Sequence, residues 1–231
     1  GVGTVAFCYW DGLPTGATAS FAPSSLSWTS SETGAKTSTL TINTTAATPG
    51  GAATFTVRAV RQGNTGDNAS GNGALTINPA AATVTFGAAP TPTYLGGNFT
   101  LSATTNSNGA LTYSAVSGPC ALVSGSTFSS SGAGACVVQA STAATANFLA
   151  ASAQQSVSIA AATPTLTFGA NPYPFYPGGD FTVLVTTNSD GARTFSVVSG
   201  PCTLVDANLG AFTPTGLGVC TVQVDTAATV N

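Results

Sequence analysis

Thr85-Phe86-Gly87-Ala88 recurs as Thr167-Phe168-Gly169-Ala170, 82 residues further along the chain. The same offset carries Tyr94-Leu95-Gly96-Gly97-Asn98-Phe99-Thr100 onto Tyr176-Pro177-Gly178-Gly179-Asp180-Phe181-Thr182. It carries Thr105-Asn106-Ser107-Asn108-Gly109-Ala110 onto Thr187-Asn188-Ser189-Asp190-Gly191-Ala192, and Ser117-Gly118-Pro119-Cys120 onto Ser199-Gly200-Pro201-Cys202. The offset then becomes 84, with Cys136 matching Cys220. Self-similarity at a fixed period marks a tandem array. The second copy therefore has two extra residues between its cysteines. A turn of variable length between two paired strands accounts for that placement.

Each copy reads as β-structure. Phe99, Leu101 and Ala103 alternate with Thr100, Ser102 and Thr104, as Phe181, Val183 and Val185 alternate with their neighbours, giving one apolar and one polar face. Asn-x-Asn/Asp-Gly at 106–109 and 188–191 predicts a hairpin turn, because Asn, Asp and Gly tolerate positive φ. Residues 111–116 and 194–198 are the expected return strands. Residues 1–80 differ in sequence but not in class. Residues 17–22 alternate weakly, and 37–43 and 53–60 alternate strongly. Pro49-Gly50-Gly51 is the expected turn between the latter two, and residues 73–78 are the expected closing strand. No stretch has helical period, so an all-β fold is expected. The segments are 1–80, 81–163 and 164–231. Their joints, residues 78–82 and 160–164, are short and contain proline. Such joints predict a semi-rigid rod rather than beads on a flexible string.

Of the 231 residues, 43% are hydrophobic and only 5% charged, which argues against disorder. The four cations, Lys36, Arg58, Arg61 and Arg193, form no patch, and the net charge is −3, which excludes nucleic acid as a partner. No apolar run approaches the ~20 residues of a membrane span. Gly1 is not an initiator methionine, so a processed chain or a segment of something longer is expected. So little charge predicts a surface covered by glycans or neighbouring protein, or one that self-associates.

Histidine is absent, which rules out Ser-His-Asp and Cys-His machinery within the chain. The seven carboxylates include no close Asp-x-Asp pair. Asp180 and Asp190 stand where the other copy has Asn98 and Asn108, as turn residues do. They are the nearest approach to a calcium site. The Gly-Gly pairs lack the strand-to-helix setting of a phosphate loop. No catalytic residue, no cofactor and no metal site is expected, and the chain reads as not an enzyme. Cys120 with Cys136, and Cys202 with Cys220, stand in matching places of two copies. Intradomain disulfides are the expected pairing, with free structural thiols and metal ligation as the alternatives. Disulfides in turn imply an oxidising compartment, hence an extracellular or cell-surface location. Cys8 is left over; a partner upstream, a bridge to another chain and simple burial stay open.

Exposed aromatics can serve as sugar platforms; the candidates are Trp10, Trp28, Tyr173, Phe175 and Tyr176. Pro172-Tyr173-Pro174-Phe175-Tyr176-Pro177 is the most unusual segment. It reads either as a contact surface displaying Tyr173, Phe175 and Tyr176 or as packing against the adjoining domain. The row Thr37, Thr39 and Thr41 reads as the wet face of a strand.

Thr-Phe-Gly-Ala, Gly-Gly-x-Phe-Thr, Ser-Gly-Pro-Cys and Gly-x-Cys-x-Val together resemble the immunoglobulin-like repeats of large secreted or surface-anchored bacterial proteins. Residues 84–231 carry this resemblance, and residues 12–80 are similar to another bacterial repeat of that kind. The resemblance implies tandem immunoglobulin-like β-sandwiches and a role as spacer, stalk or adhesive module, with no catalytic residues to transfer. It implies a structural segment of a fibre, stalk or surface assembly, with an adhesin or carbohydrate-binding module as the alternative. The implied partners are copies of the chain or neighbouring domains, and surface glycans under the alternative. It also implies strands before Val5 and, because Asn231 aligns with Asn147, a counterpart of residues 148–159 after Asn231. Both ends are then expected to fall inside domains. Either they are trimmed, or a neighbouring subunit donates the missing strand.

Overall fold

The computed structural model describes residues 3–231, with residues 3, 7–10, 65 and 67 described in their backbone only. The expectations on the Cys8 thiol and on the Trp10 ring therefore lie outside the described residues. No helix occurs among the described residues, and the strands form small, largely antiparallel sheets.

In the first segment, β1 (Gly3–Asp11), β3 (Ser25–Trp28), β5 (Gly51–Arg61) and β6 (Asn64–Ile77) form one sheet in the order β3-β1-β5-β6. β2 (Thr18–Ala22) pairs with β4 (Thr39–Asn43) in a second sheet. Pro49-Gly50-Gly51 lies between β4 and β5 and takes the chain from the β2-β4 sheet to the β1-β5 sheet. One expectation needs correction: the closing strand is not confined to residues 73–78. β6 runs for 14 residues and pairs with β5 over most of its length. Its polar half, Asn64 to Asn72, has no apolar alternation, and the backbone ladder to β5 holds it instead. Trp28 is held locally: Nε1 donates to Gly34 O at 3.1 Å and Lys36 Nζ lies 5.6 Å from the ring centroid.

The two repeats correspond element by element. The first comprises β7 (Val84–Phe86), β8 (Phe99–Thr100), β9 (Ala103–Thr105), β10 (Leu111–Ser117), β11 (Cys120–Ser124), β12 (Thr127–Ser130), β13 (Gly134–Thr142) and β14 (Ala151–Ile159). The second comprises β15 (Leu166–Phe168), β16 (Phe181–Thr182), β17 (Val185–Thr187), β18 (Arg193–Ser199), β19 (Cys202–Asp206), β20 (Ala211–Pro214) and β21 (Thr221–Thr226). β14 has no counterpart among the described residues. The first copy has sheets β7-β9, β8-β12-β11 and β10-β13-β14; the second has β15-β17, β16-β20-β19 and β18-β21. Phe99, Leu101, Phe128, Cys136, Val138, Val157 and Ile159 form one buried cluster, drawn from the two three-stranded sheets of the first copy. Phe99 stacks on Phe128 at 5.9 Å, as Phe181 stacks on Phe212 at 5.7 Å. The two extra residues fall in the turn between β19 and β20, which is Ala207-Asn208-Leu209-Gly210 where the first copy has Gly125-Ser126. Asp206 Oδ1 shapes the longer turn by accepting from Asn208 N at 2.8 Å and Leu209 N at 3.1 Å.

The expected strand from Phe99 to Ala103 is split. Its apolar alternation holds, but β8 pairs in one sheet and β9 in another, so the chain changes sheets at Leu101-Ser102. Residues 106–109 and 188–191 likewise do not close hairpins. β9 pairs with β7 whereas β10 pairs with β13, and β17 pairs with β15 whereas β18 pairs with β21. The asparagine at the head of each turn is used otherwise. Asn106 Oδ1 accepts from Thr83 N at 2.8 Å and its Nδ2 donates to Ala81 O at 3.4 Å. Asn188 makes the same pair of bonds to Thr165 N at 2.7 Å and Thr163 O at 3.1 Å. Each amide brackets the residues that lead into β7 or β15. The glycine is required by close approach rather than by φ: a Cβ on Gly109 would stand 2.5 Å from Thr142 Oγ1, and one on Gly191 2.2 Å from Ala227 O.

By contact density the chain falls into two compact units. One comprises residues 1–85, 103–112 and 140–153; the other comprises 86–102, 113–139 and 154–231.

Candidate functional site

The disulfides are formed. Cys120 bonds to Cys136 and Cys202 to Cys220, each with Cα atoms 5.9 Å apart. The first links the start of β11 to β13, and the second links the start of β19 to the loop just before β21. Cys136 is fully buried, while Cys220 is half-buried and, with Cys202, lines a groove.

That groove has a volume of about 750 Å³, and its walls carry no charged side chain. Phe168, Phe181, Val183 and Val222 form its floor and sides, and Tyr173 and Phe175 stand on its rim. The proline-spaced segment is not packed away: Tyr173 is 94% exposed, Phe175 73% and Tyr176 49%. Proline at alternate positions fixes φ and removes the backbone donor at Pro172 and Pro174. The segment therefore stays extended without a ladder of its own.

Each disulfide joins a buried cysteine, Cys136 or Cys202, to a half-buried one, Cys120 or Cys220, and only the second pair also lines the groove, which gives reductant a wider approach to it. On graded addition of a thiol reductant, Cys202–Cys220 is expected to open before Cys120–Cys136. Differential alkylation followed by mass spectrometry reads the order, and opening of Cys120–Cys136 first would contradict this account.

A second feature was missed by sequence reasoning. Asn147 and Asn231 occupy matching positions and share two kinds of bond, one to the side-chain oxygen and one to the backbone oxygen. Within the first unit, Asn147 Oδ1 accepts from Gly50 N at 3.1 Å, Nδ2 donates to Ala46 O at 3.1 Å, and the backbone O accepts from Ala80 N at 2.7 Å. Within the second unit, Asn231 Oδ1 accepts from Ala133 N at 2.9 Å and its backbone O accepts from Ala162 N at 2.9 Å. Each asparagine thus ties its own segment to a loop of the preceding one. Gly50 is needed at the first clamp, since a Cβ there would stand 2.1 Å from Ala146 O. The signal available in the sequence was the identity of Asn147 and Asn231 at equivalent positions.

Asn231 Nδ2 also donates to Asp190 Oδ2 at 2.9 Å. This bond, with a second from Thr229, holds the Asp190 carboxyl below the usual aspartate range. At the matching place in the first repeat, Asn108 Oδ1 accepts from Thr145 Oγ1 at 2.8 Å, with no charge to titrate. Asp180 bonds elsewhere, to the Thr213 hydroxyl. A depressed native pKa adds stability above the ordinary aspartate value of about 3.9, and that stability is lost as pH falls through the lower native value. The thermal midpoint of the last repeat is therefore expected to drop below about pH 4, and Asp190→Asn to flatten that part of the profile. Calorimetry across pH 2–6 of both proteins checks it.

Among the described residues no group of three or more His, Cys, Asp or Glu side chains could hold a metal ion, and no helix is long and apolar enough to cross a membrane. No protein-family model and no curated protein matches the chain.

Proposed function

We propose that the chain is a segment of an extracellular, non-catalytic structural protein. In this reading it consists of immunoglobulin-like β-sandwich domains in a semi-rigid rod, of the kind found in bacterial fibres, stalks and surface assemblies. The observation that carries the reading is the repeated clamp of Asn147 and Asn231. A bond set made twice, at equivalent places, is what a regular array needs, whereas a lone ligand site has no use for it. Two disulfides support an oxidising, external setting. The low charge suits a chain whose partners are copies of itself or neighbouring domains. Electron microscopy of the protein isolated from its source, without denaturant or reductant, is expected to show filaments with an axial repeat of a few domain lengths. Isolated short particles would overturn the assembly.

The clamp itself is testable. Asn147→Ala removes two side-chain bonds, each worth about 1 kcal/mol net. It is expected to raise hydrogen exchange at the Gly50 amide roughly tenfold while leaving the buried strands β12 and β13 protected. Unchanged exchange at Gly50 would show that the clamp does not hold the joint.

One observation favours a second reading, that of an adhesin or carbohydrate-binding module: the exposure of Tyr173 and Phe175. Aromatic faces with a polar tip suit sugar rings. A glycan array with the native chain and a Tyr173→Ala/Phe175→Ala double variant decides it. Binding lost in the variant supports this reading, and no binding by the native chain removes it.

A further inference from the structure

Asn-Gly occurs twice in the chain, at Asn72-Gly73 and Asn108-Gly109. Glycine has no Cβ to hinder its own nitrogen, so in this pair that nitrogen can close onto the asparagine side-chain amide. The two pairs lie in opposite settings. Asn72 and Gly73 stand opposite Thr56 and Phe55 in the β5-β6 ladder, which holds the backbone extended, and the Phe55 ring fills the space where a Cβ on Gly73 would lie. Asn108 and Gly109 lie outside any strand, between β9 and β10, and Asn108 is exposed.

The bonds around Asn108 favour that ring closure. Thr145 Oγ1 accepts from Asn147 N at 3.3 Å and from Phe148 N at 3.1 Å. Its own proton is left for Asn108 Oδ1, 2.8 Å away. The side-chain carbonyl is therefore met by a fixed donor, placed where negative charge gathers when a nucleophile adds to Cγ. Gly109 N donates to Ser107 Oγ at 3.0 Å, a hydroxyl that can receive its proton and pass it on. Thr142 is 2% exposed, and its Oγ1 has no hydrogen-bond partner among the described residues. That hydroxyl lies against Gly109, 2.5 Å from where a Cβ would stand, so its spare donor and acceptor sit beside the same peptide. Burying it unpaired is costly, and a merely structural turn has no use for it. Nor does the turn require asparagine. Asp190 serves at the equivalent place, with Gly191 N bonded to Ser189 Oγ at 3.1 Å.

We propose that Asn108-Gly109 is a self-modifying site, at which the folded chain converts Asn108 to aspartate and isoaspartate. Gly109 N attacks Asn108 Cγ while Thr145 Oγ1 holds the oxyanion. The proton of Gly109 N passes through the Ser107 hydroxyl to the departing amine, and ammonia leaves. The resulting succinimide joins Gly109 N to Asn108 Cγ. Water adds to one of its two carbonyls and opens the ring. One opening gives aspartate; the other gives isoaspartate, with the main chain rerouted through the side chain. Nothing is oxidised or reduced, and water is the only co-reactant. Asp190 is the internal control. Bonds from Asn231 and Thr229 hold its carboxyl ionised below the usual aspartate range, and a carboxylate is a poor electrophile with no amine to release. This inference does not depend on the assembly proposed above.

The test holds the unmodified chain at mildly alkaline pH in water enriched in heavy oxygen. Peptide mapping by mass spectrometry then reads label uptake at Asn72, Asn108 and Asp190. In the folded chain Asn108 is expected to convert about tenfold faster than Asn72, which reacts only when its ladder opens locally, and Asp190 is expected to stay unlabelled. In denaturant the two asparagines are expected to convert at matched rates, because only the shared Asn-Gly sequence then acts. Thr145→Val is expected to slow Asn108 about tenfold, less than the roughly hundredfold that a shielded oxyanion donor supplies, because Asn108 is exposed. Thr145→Ser is expected to restore the rate by returning the hydroxyl, which a merely loosened turn would not do. Equal rates at Asn72 and Asn108 in the folded chain overturn the proposal. So does slower conversion of Asn108 folded than unfolded, or a rate indifferent to Thr145→Val.

Discussion

Phe128→Ala is expected to cost about 3–5 kcal/mol, the range for truncating a fully buried aromatic side chain. Phe128 is 0% exposed, stacks on Phe99 at 5.9 Å, and stands in the cluster that also holds Cys136, Val138, Val157 and Ile159. Strands on both sides enclose that cluster, so the void has little room to collapse. Against a typical domain stability of roughly 5–15 kcal/mol, the loss is large enough to expose the middle repeat to exchange and protease. Phe212→Ala provides the comparison. Phe212 is equally buried and touches both Phe181 and Phe195, but Phe181, Val183 and Val222 beside it are open to the groove. Its neighbours can shift into the space, so a smaller loss is expected. Native-state hydrogen exchange reports the two repeats separately, through the amides of β12 and β13 and of β20 and β21. Equal losses would mean that the open groove gives the last repeat no freedom to relax.

Removing the disulfide as Cys120→Ala/Cys136→Ala is expected to lower stability by about 3 kcal/mol through the loop it closes. The second pair, as Cys202→Ala/Cys220→Ala, has nearly the same loop. Sequence separations of 16 and 18 differ by only roughly 0.1 kcal/mol in that entropy. Any larger difference must therefore arise in the native state. Cys136 packs at 0% exposure inside the seven-residue cluster, so its replacement also removes buried sulfur contacts. The first variant is expected to lose more than the second, by about 1 kcal/mol. Denaturant midpoints followed by exchange in each repeat check the order. The reverse order would show that the groove-side bond carries the greater native packing.

The repeat was legible because both copies bury the same face, and a two-residue period survives wherever one side of a strand is dry. Phe99, Leu101 and Ala103 show this, and so do the matched cysteines and the lengthened turn between β19 and β20. What was not legible was which strands pair. Asn-x-Asn-Gly reads locally as a reversal, yet residues 106–109 carry the chain between sheets, and the amide that opens the turn bonds to Thr83 and Ala81, far back along the chain. The stretch Asn64 to Asn72 is strand because β5 offers it a ladder, which no property of its own residues announces. The groove was half legible. The proline-spaced aromatics were read either as a contact surface or as packing against a neighbour, and Phe168, Phe181 and Val222, which line the groove with them, come from segments far apart in the chain.

The clamps at Asn147 and Asn231 draw mainly on peptide groups. The first grips the backbone of Ala46 and Gly50, the second the backbone of Ala133, and the two loops share no sequence motif. An interface addressed to main chain asks almost nothing of the residue types it meets, beyond room for a close approach. Modules joined in this way need no matched pair of side chains to evolve together. Whole units can then be duplicated, deleted or exchanged in the gene, and the length of the protein can drift while every junction stays correctly seated.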